Sequence, residues 1–276
     1  MKIGSITIDK AKEILKRHCL YQKKMYGDEI SQSWFDLKYH HSLVVYETLK
    51  EIIDNVPEIK NFSQDNKKRI LVSAILHDIG RFYQIEAGIL NTSKRHGILG
   101  REILRKENEL EDETVALCIE YHDYPKADDI LTNSVYKSMD NPDQNITYTG
   151  LKALRDADML ANFQEMVENN DLYIYRDNFE PLINDEMMDA ALTGRPYNKN
   201  VQDLVTVYDS WVARICWMHS YHYDYSKQMQ LNLNLYPFLF EYVERLQKQS
   251  AEKGYTDQTK LDEQIAQIKK ATRRSL

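Results

Sequence analysis

The chain has 276 residues, of which 42% are hydrophobic and 29% charged, and its formal net charge at pH 7 is −7. This composition predicts a soluble globular protein, and the length allows one large domain or two small ones. The negative charge argues against a broad nucleic-acid-binding surface, so we expect no nucleic-acid partner.

Export and membrane insertion are not supported by the sequence. Residues 1–6 lack the apolar core of a signal peptide, and the longest apolar run, 70–76, is far shorter than the roughly 20 residues of a membrane span. Cys19, Cys118 and Cys216 are scattered without C-x-x-C spacing, which predicts neither a disulfide framework nor a thiolate zinc site. We therefore expect a cytoplasmic protein with no membrane association.

Helical periodicity recurs along almost the whole chain and strand alternation almost nowhere, so the predicted fold class is all-α. Asp9 is predicted to cap a first helix that ends near Tyr26. The segment 251–276, rich in Lys, Gln, Glu and Asp, is predicted to be a solvated helix with a frayed end. Further helices are predicted over 36–55, 66–78, 94–106, 111–123, 147–168, 184–192, 200–222 and 235–252.

Turn residues cluster at the predicted breaks between these helices. The breaks are expected at 27–28, 55–57, 80, 88–93, 125–129, 140–143 and 194–196. None resembles a long flexible linker, so we predict one globular domain in three parts. These are an N-terminal helix over 1–30, a metal-binding core over 31–170 and a helical C-terminal extension over 171–276, packed on the core. Aromatic residues near Trp211 and Trp217 are expected to form that packing or the face of a homodimer.

Six side chains of metal-ligand type are distributed over five predicted helices. His41 lies in line with Leu37 and Val45 on the apolar face of its helix, whereas His40 lines up with Glu47 and should face water. The other ligand-type residues also share faces with apolar residues. Imidazoles and carboxylates in the absence of thiolates bind divalent cations. The predicted ligands are His41, His77, Asp78, His96, His122 and Asp158.

Each of these residues also has a purely structural interpretation. A single inward histidine is more often a hydrogen-bonded core residue than a ligand. Asp78 could end a helix before Gly80, and Asp156 and Asp158 could both pair with Arg155. Helical phase alone leaves the choice between Asp156 and Asp158 open. Buried carboxylates are rare unless they are paired or metal-bound, so the six residues taken together favour a metal site.

The order H…HD…H…H…D resembles the HD-domain superfamily. The sequences around these residues, over about 34–243, are most similar to the predicted HD phosphohydrolases of bacteria. The resemblance implies an HD-domain helical bundle with a helical C-terminal extension. It assigns His41, His77, Asp78 and Asp158 to a first metal position, and His96 and His122 to a second, with Asp78 bridging. This chain has Ile-Leu-Asn-Thr at 89–92, where relatives commonly carry an aromatic and an acidic residue, a difference that bears on substrate contacts.

The resemblance implies a metal-dependent phosphohydrolase or phosphodiesterase that acts on a nucleotide or another small anionic phosphate ester. One or two divalent ions, chosen from Mn, Fe, Zn, Co, Ni or Mg, would activate water. Asp78 is the central candidate catalytic residue. Arg81, Lys38 and Arg95 are candidate cations for the phosphate. Arg81 ranks first because its planar guanidinium can donate two hydrogen bonds to one phosphate. The alternative interpretation is that Arg81 is a surface arginine paired with acidic residues.

Two other functions stay open on the sequence. Some members of the superfamily hold two irons at the same six ligands and use oxygen to cleave a carbon bond. A non-catalytic module that senses a nucleotide is the second alternative, and the complete ligand set argues against it.

Overall fold

The structure is a computed structural model that describes residues 6–86, 89–90, 93–172, 174, 176–197 and 204–272, without the side chains of 30, 86, 89 and 90. Within these residues the regular secondary structure is helical, apart from an antiparallel pair of two-residue strands, β1 (Ile85–Glu86) and β2 (Ile89–Leu90). The predicted all-α class is confirmed. No described helix is both long and apolar enough to cross a bilayer.

The chain divides into two compact units, residues 1–161 and 162–276, while the predicted boundaries at 30 and 170 stay predictions. The first unit begins with α1 (Ile8–Met25), α2 (Glu29–Asn55), α3 (Pro57–Lys60), α4 (Gln64–Leu76) and a 3₁₀ helix (Ile79–Tyr83). It continues with α5 (His96–Lys106), α6 (Glu113–Tyr121), a second 3₁₀ helix (Ala127–Thr132), α7 (Ser134–Ser138) and α8 (Asn141–Glu168), which runs past the boundary. The second unit holds α9 (Asp185–Thr193), α10 (Val207–Trp217), α11 (Asp224–Asn232), α12 (Leu235–Glu252) and α13 (Thr259–Thr272).

Capping side chains set the starts of the first two helices. Thr7 accepts a hydrogen bond from the Lys10 N–H at 3.2 Å, so α1 begins at Ile8 and the predicted cap at Asp9 is wrong. Asp9 lies in the first turn instead, where a carboxylate interacts favourably with the helix dipole. Asp28 accepts from the Ser31 N–H at 2.8 Å and starts α2 at Glu29, well before the predicted residue 36. The start of α2 was predicted from its apolar residues, and these begin further along the helix than its N-cap, Asp28.

Two glycines allow the backbones of the first unit to approach closely. A Cβ on Gly80 would lie 2.0 Å from the His96 carbonyl oxygen and 2.8 Å from the Gly100 nitrogen. A Cβ on Gly97 would lie 2.5 Å from the carbonyl oxygen of Glu120. The first 3₁₀ helix therefore contacts the backbone of α5, and α5 contacts that of α6, because neither glycine carries a side chain.

The second unit contains two departures from the predicted helices. Thr206 and Asp209 form a capping box that starts α10 at Val207, and α10 ends at Trp217, so the predicted helix over 200–222 is too long. Residues 198–203 lie outside the described residues, as do 87–88 and 91–92 in the predicted break at 88–93. The helix α11 was not predicted.

Trp211 of α10 and three apolar residues of α13 are buried. Trp211 is buried, and its Nε1 donates to the Leu239 carbonyl of α12 at 2.8 Å. In α13 the apolar residues Leu261, Ile265 and Ile268 are buried, and α13 contacts α9. The helix predicted within 251–276 is present over the described residues, but the expectation of a solvated helix is wrong for the face that carries these apolar residues.

The glycine contact predicts the effect of one added methyl group. Gly80→Ala should lower the free energy of unfolding by about 1–3 kcal/mol, because backbone atoms of α5 must move to admit the new Cβ. Gly27→Ala is the matched control, since nothing lies within 4 Å of a Cβ at Gly27. Urea unfolding of both variants measures the difference, and equal stabilities would contradict the close approach.

Candidate metal centre

The structure brings all six predicted ligands together, although four of them lie at or beyond helix ends. His77 and His122 directly follow α4 and α6, and Asp78 comes next to His77, so the helices predicted over 66–78 and 111–123 end earlier than expected. His96 is the first residue of α5. His41 and Asp158 lie within α2 and α8, and His40 is exposed as predicted.

His77 and His122 are held by the same local hydrogen bond. His77 Nδ1 lies 2.7 Å from the Ala74 carbonyl oxygen, and His122 Nδ1 lies 2.7 Å from that of Ile119. These carbonyls belong to the last helical turns, where backbone acceptors lack helical partners. A carbonyl can only accept, so each Nδ1 carries the hydrogen and each Nε2 presents its lone pair to the interior.

His96 is oriented by a carboxylate that the sequence analysis did not identify. His96 Nδ1 lies 3.0 Å from Asp123 Oδ2, and the Gly97 N–H donates to the same oxygen at 3.2 Å. The signal was present in the sequence, because Asp123 directly follows a predicted ligand, His122. Since the carboxylate accepts from Nδ1, the lone pair of His96 Nε2 also faces the interior.

Asp78 is the central side chain of the centre, and it is buried. Its Oδ1 lies 3.0 Å from His96 Nε2 and 3.7 Å from the Nε2 atoms of both His77 and His122. Its Oδ2 lies 3.9 Å from His41 Nε2. The two oxygens therefore face different imidazoles, an arrangement suited to a carboxylate shared between two ions.

A second carboxylate completes the side of the centre near His41. Asp158 Oδ1 lies 2.9 Å from His41 Nε2 and 3.8 Å from His77 Nε2. Asp156 is fully buried, but it is not among the groups of potential ligand atoms that lie close enough to share an ion. The contact with His41 thus agrees with the choice of Asp158 that the resemblance implied. Two such groups are His41, His77 and Asp158, and His77, Asp78 and His122.

The donor atoms fit a divalent cation. His77 Nε2 is buried and has no hydrogen-bond partner among the described residues. His96 Nε2 and His122 Nε2 lie only 2.8 Å apart, although both rings have already placed a hydrogen on Nδ1. Two lone pairs that face each other at this distance require a cation between or beside them, either a proton or a metal ion. Buried imidazole and carboxylate donors in this arrangement are typical of metal sites.

Electrostatics keeps most of these groups in the form that binds metal. Burial lowers the pKa of His77 to about 3, so this imidazole is neutral at pH 7. Burial alone would raise the pKa of Asp78 and of Asp158, but Lys38 holds the pKa of Asp78 well below its usual range, and the hydrogen bond with His41 lowers that of Asp158. The pKa of His122 is raised, although burial acts to lower it, because the nearby carboxylate of Asp78 stabilises the protonated ring. Ligands bind metal when deprotonated, so binding at His122 displaces a proton when the ring is charged.

The three candidate cations lie in different surroundings. Lys38 Nζ is 3.3 Å from Asp78 Oδ2, and Arg81 Nε is 3.7 Å from Asp78 Oδ1. Arg81 Nε is buried without a hydrogen-bond partner among the described residues. Arg95 instead donates to the backbone oxygen of Asp123 at 2.7 Å and lies over the Tyr124 ring. Lys38 and Arg81 therefore adjoin the candidate ligands, and Arg95 holds the end of α6.

Arg155 also contributes to the placement of His122. Its Nη1 donates to the carbonyl oxygens of His122 at 2.7 Å and Tyr124 at 2.6 Å. The guanidinium therefore holds the chain that follows α6, a role that the sequence analysis did not foresee.

Residues 39–162 match the family model for the HD domain. This segment is an HD domain. It contains all six predicted ligands, so the resemblance to the HD-domain superfamily is confirmed, while the relation to the bacterial phosphohydrolase branch stays a prediction. No curated protein and no solved structure gave a match to the chain.

The low pKa of His77 predicts acid sensitivity of the metal-free protein. The unfolded chain binds a proton at His77 below about pH 6.5, but the folded HD domain does so only near pH 3. Stability should therefore be lost as the pH falls through this window, by about 1.4 kcal/mol per pH unit for one proton. Urea unfolding between pH 7 and pH 4.5 measures the slope.

The variant His77→Gln should show a shallower pH dependence than the wild-type protein, whatever its absolute stability. The exposed His40 provides the control, because His40→Gln should leave the slope unchanged. Parallel slopes for all three proteins would contradict a neutral buried imidazole.

Proposed function

We propose that the HD domain is a metal-dependent phosphohydrolase that acts on a nucleotide or another small phosphate ester. One observation carries the proposal: four imidazole Nε2 atoms lie within 3.9 Å of the buried carboxylate of Asp78. Burying a carboxylate costs free energy, so a structural role alone explains this group poorly. Together, the carboxylate and the imidazoles form a suitable set of metal ligands.

The donors divide into two candidate positions. His41, His77 and Asp158 would hold one ion, and His96 and His122 the other, with Asp78 contributing one oxygen to each. A bound divalent ion supplies positive charge for the phosphoryl oxygens and lowers the pKa of water toward neutrality. The excess of imidazole over carboxylate favours Mn, Fe, Co, Ni or Zn over Mg.

Lys38 and Arg81 are the proposed contacts for the phosphate. Both approach Asp78, so both lie beside the candidate ligands. A buried guanidinium N–H without an acceptor costs free energy, and a phosphoryl oxygen would remove that cost at Arg81 Nε. Lys38 would act as a point charge, and Arg81 would add direction through its planar donors.

The central prediction concerns Asp78. Purified chain should hydrolyse at least one member of a panel of nucleotides, cyclic nucleotides and phosphate monoesters with added Mn, Co, Ni, Zn or Fe. Asp78→Ala should abolish that hydrolysis and the binding of metal, because both candidate positions lose an oxygen donor. Asp54→Ala, an exposed acid on the same helix as His41, is the control and should retain both.

Circular dichroism separates loss of metal from loss of fold in these variants. If no substrate in the panel is hydrolysed, the purified chain contains iron and a product forms only in air, the phosphohydrolase proposal is wrong and the oxygenase alternative replaces it.

The position of Arg81 beside Asp78 predicts that substitutions of this arginine change the activity. Arg81→Ala should lower kcat/KM by about 10- to 100-fold, the size expected for one or two charge-assisted hydrogen bonds to substrate. Arg81→Lys should recover only part of that loss, because an ammonium cannot donate twice in one plane. Steady-state kinetics with metal-saturated protein measures the effect, and unaltered kinetics in Arg81→Ala would remove this residue from the site.

A further inference from the structure

We propose that Asp123 is a positioning residue that makes His96 a stronger metal donor and thereby sets the affinity of the position formed by His96, His122 and Asp78. This inference rests on the proposed metal centre and concerns a residue that neither the sequence motif nor the match to the HD-domain family assigns.

The surroundings of Nδ1 distinguish His96 from two of the other histidines. His77 and His122 each donate Nδ1–H to an uncharged backbone carbonyl. His96 donates instead to the carboxylate of Asp123, whose side chain is only 9% exposed. A hydrogen bond to an ionised acceptor is roughly twice as strong as one between neutral groups. It also increases the electron density that the opposite ring nitrogen can give to a metal.

Backbone contacts hold the carboxylate in place. The Gly97 N–H donates to the same Oδ2 that accepts from His96, and this N–H belongs to the first turn of α5, where negative charge is stabilised. A Cβ on Gly97 would lie 3.1 Å from Asp123 Oδ1 and closer still to the carbonyls of α6, so the two segments leave little room for rearrangement.

The main chain at Asp123 is fixed as well. Arg95 Nη1 donates to the Asp123 carbonyl at 2.7 Å, and Arg155 holds the carbonyls of the residues on either side. His96 is therefore oriented by contacts that do not depend on a bound ion. The ring is aimed so that Nε2 lies 3.0 Å from Asp78 Oδ1.

The test is Asp123→Asn, which keeps the size of the side chain and removes its charge. Calorimetric titration of the metal-free full chain with Mn²⁺ should show two ions bound by the wild-type protein. In the variant one of the two should bind about 10- to 100-fold more weakly, and the other should keep its affinity. Asp128→Asn, an exposed acid in the following segment, is the control for a change of charge and should bind like the wild-type protein.

A double-mutant cycle separates this role from a general effect on structure. If Asp123 acts through His96, then Asp123→Asn should have no further effect on Mn²⁺ affinity in a His96→Ala background. Asp123→Ala is measured in the same way, so the result does not depend on the folding of one variant, and circular dichroism of the metal-free proteins checks the fold.

Two results would overturn the inference. The first is an Asp123→Asn variant that binds Mn²⁺ at both positions with wild-type affinity. The second is a loss of Mn²⁺ affinity on Asp123→Asn that is equally large in the wild-type and the His96→Ala backgrounds. Either result leaves the proposed function standing if Asp78→Ala still loses metal. Retention of both ions by Asp78→Ala would instead contradict the metal centre itself.

Discussion

The buried charge of Asp78 is the constraint on which the HD domain depends. An ionised carboxylate in the interior is costly unless cations and hydrogen-bond donors surround it. Here Lys38, Arg81 and four imidazoles do so. Those partners come from α2, α5, the ends of α4 and α6 and the first 3₁₀ helix, so the helices cannot move apart without exposing or isolating the charge.

Contacts at helix ends orient two of the candidate metal ligands. A side chain that follows the last turn of a helix can bond a carbonyl that has no helical partner, and both His77 and His122 do this. The same bond selects the ring tautomer and directs Nε2 inward. Gly80 and Gly97 then allow the segments that carry these residues to approach at backbone distance. The position, tautomer and direction of these two histidines are thus set by contacts within the protein.

The helical class could be predicted from the regular spacing of apolar residues. The six candidate ligands could be predicted because they form a recognisable ordered motif. Helix ends were harder, since Thr7 and Asp28 act through single hydrogen bonds that periodicity does not reveal. Asp123 was missed for a related reason. Its carboxylate contacts the His96 imidazole and the N–H of Gly97, which lies 26 positions earlier in the chain, and only the tertiary structure makes these residues neighbours. The burial of α13 likewise depends on contacts with α9.

The local charge also bears on how an acidic chain could act on the anionic substrate that we propose. Asp78, Asp123 and Asp158 all have pKa values below the ordinary range. Lys38 and Arg81 lie beside Asp78, and Arg155 interacts electrostatically with Asp123 and Asp158. Ionised carboxylates that lie beside neutral imidazoles are suitable donors for divalent ions. If two such ions bind as proposed, they add positive charge that would attract the phosphate of the proposed substrate. The net charge of −7 for the whole chain is therefore a poor guide to the substrate, because the sign of the potential at the centre depends on the bound ions.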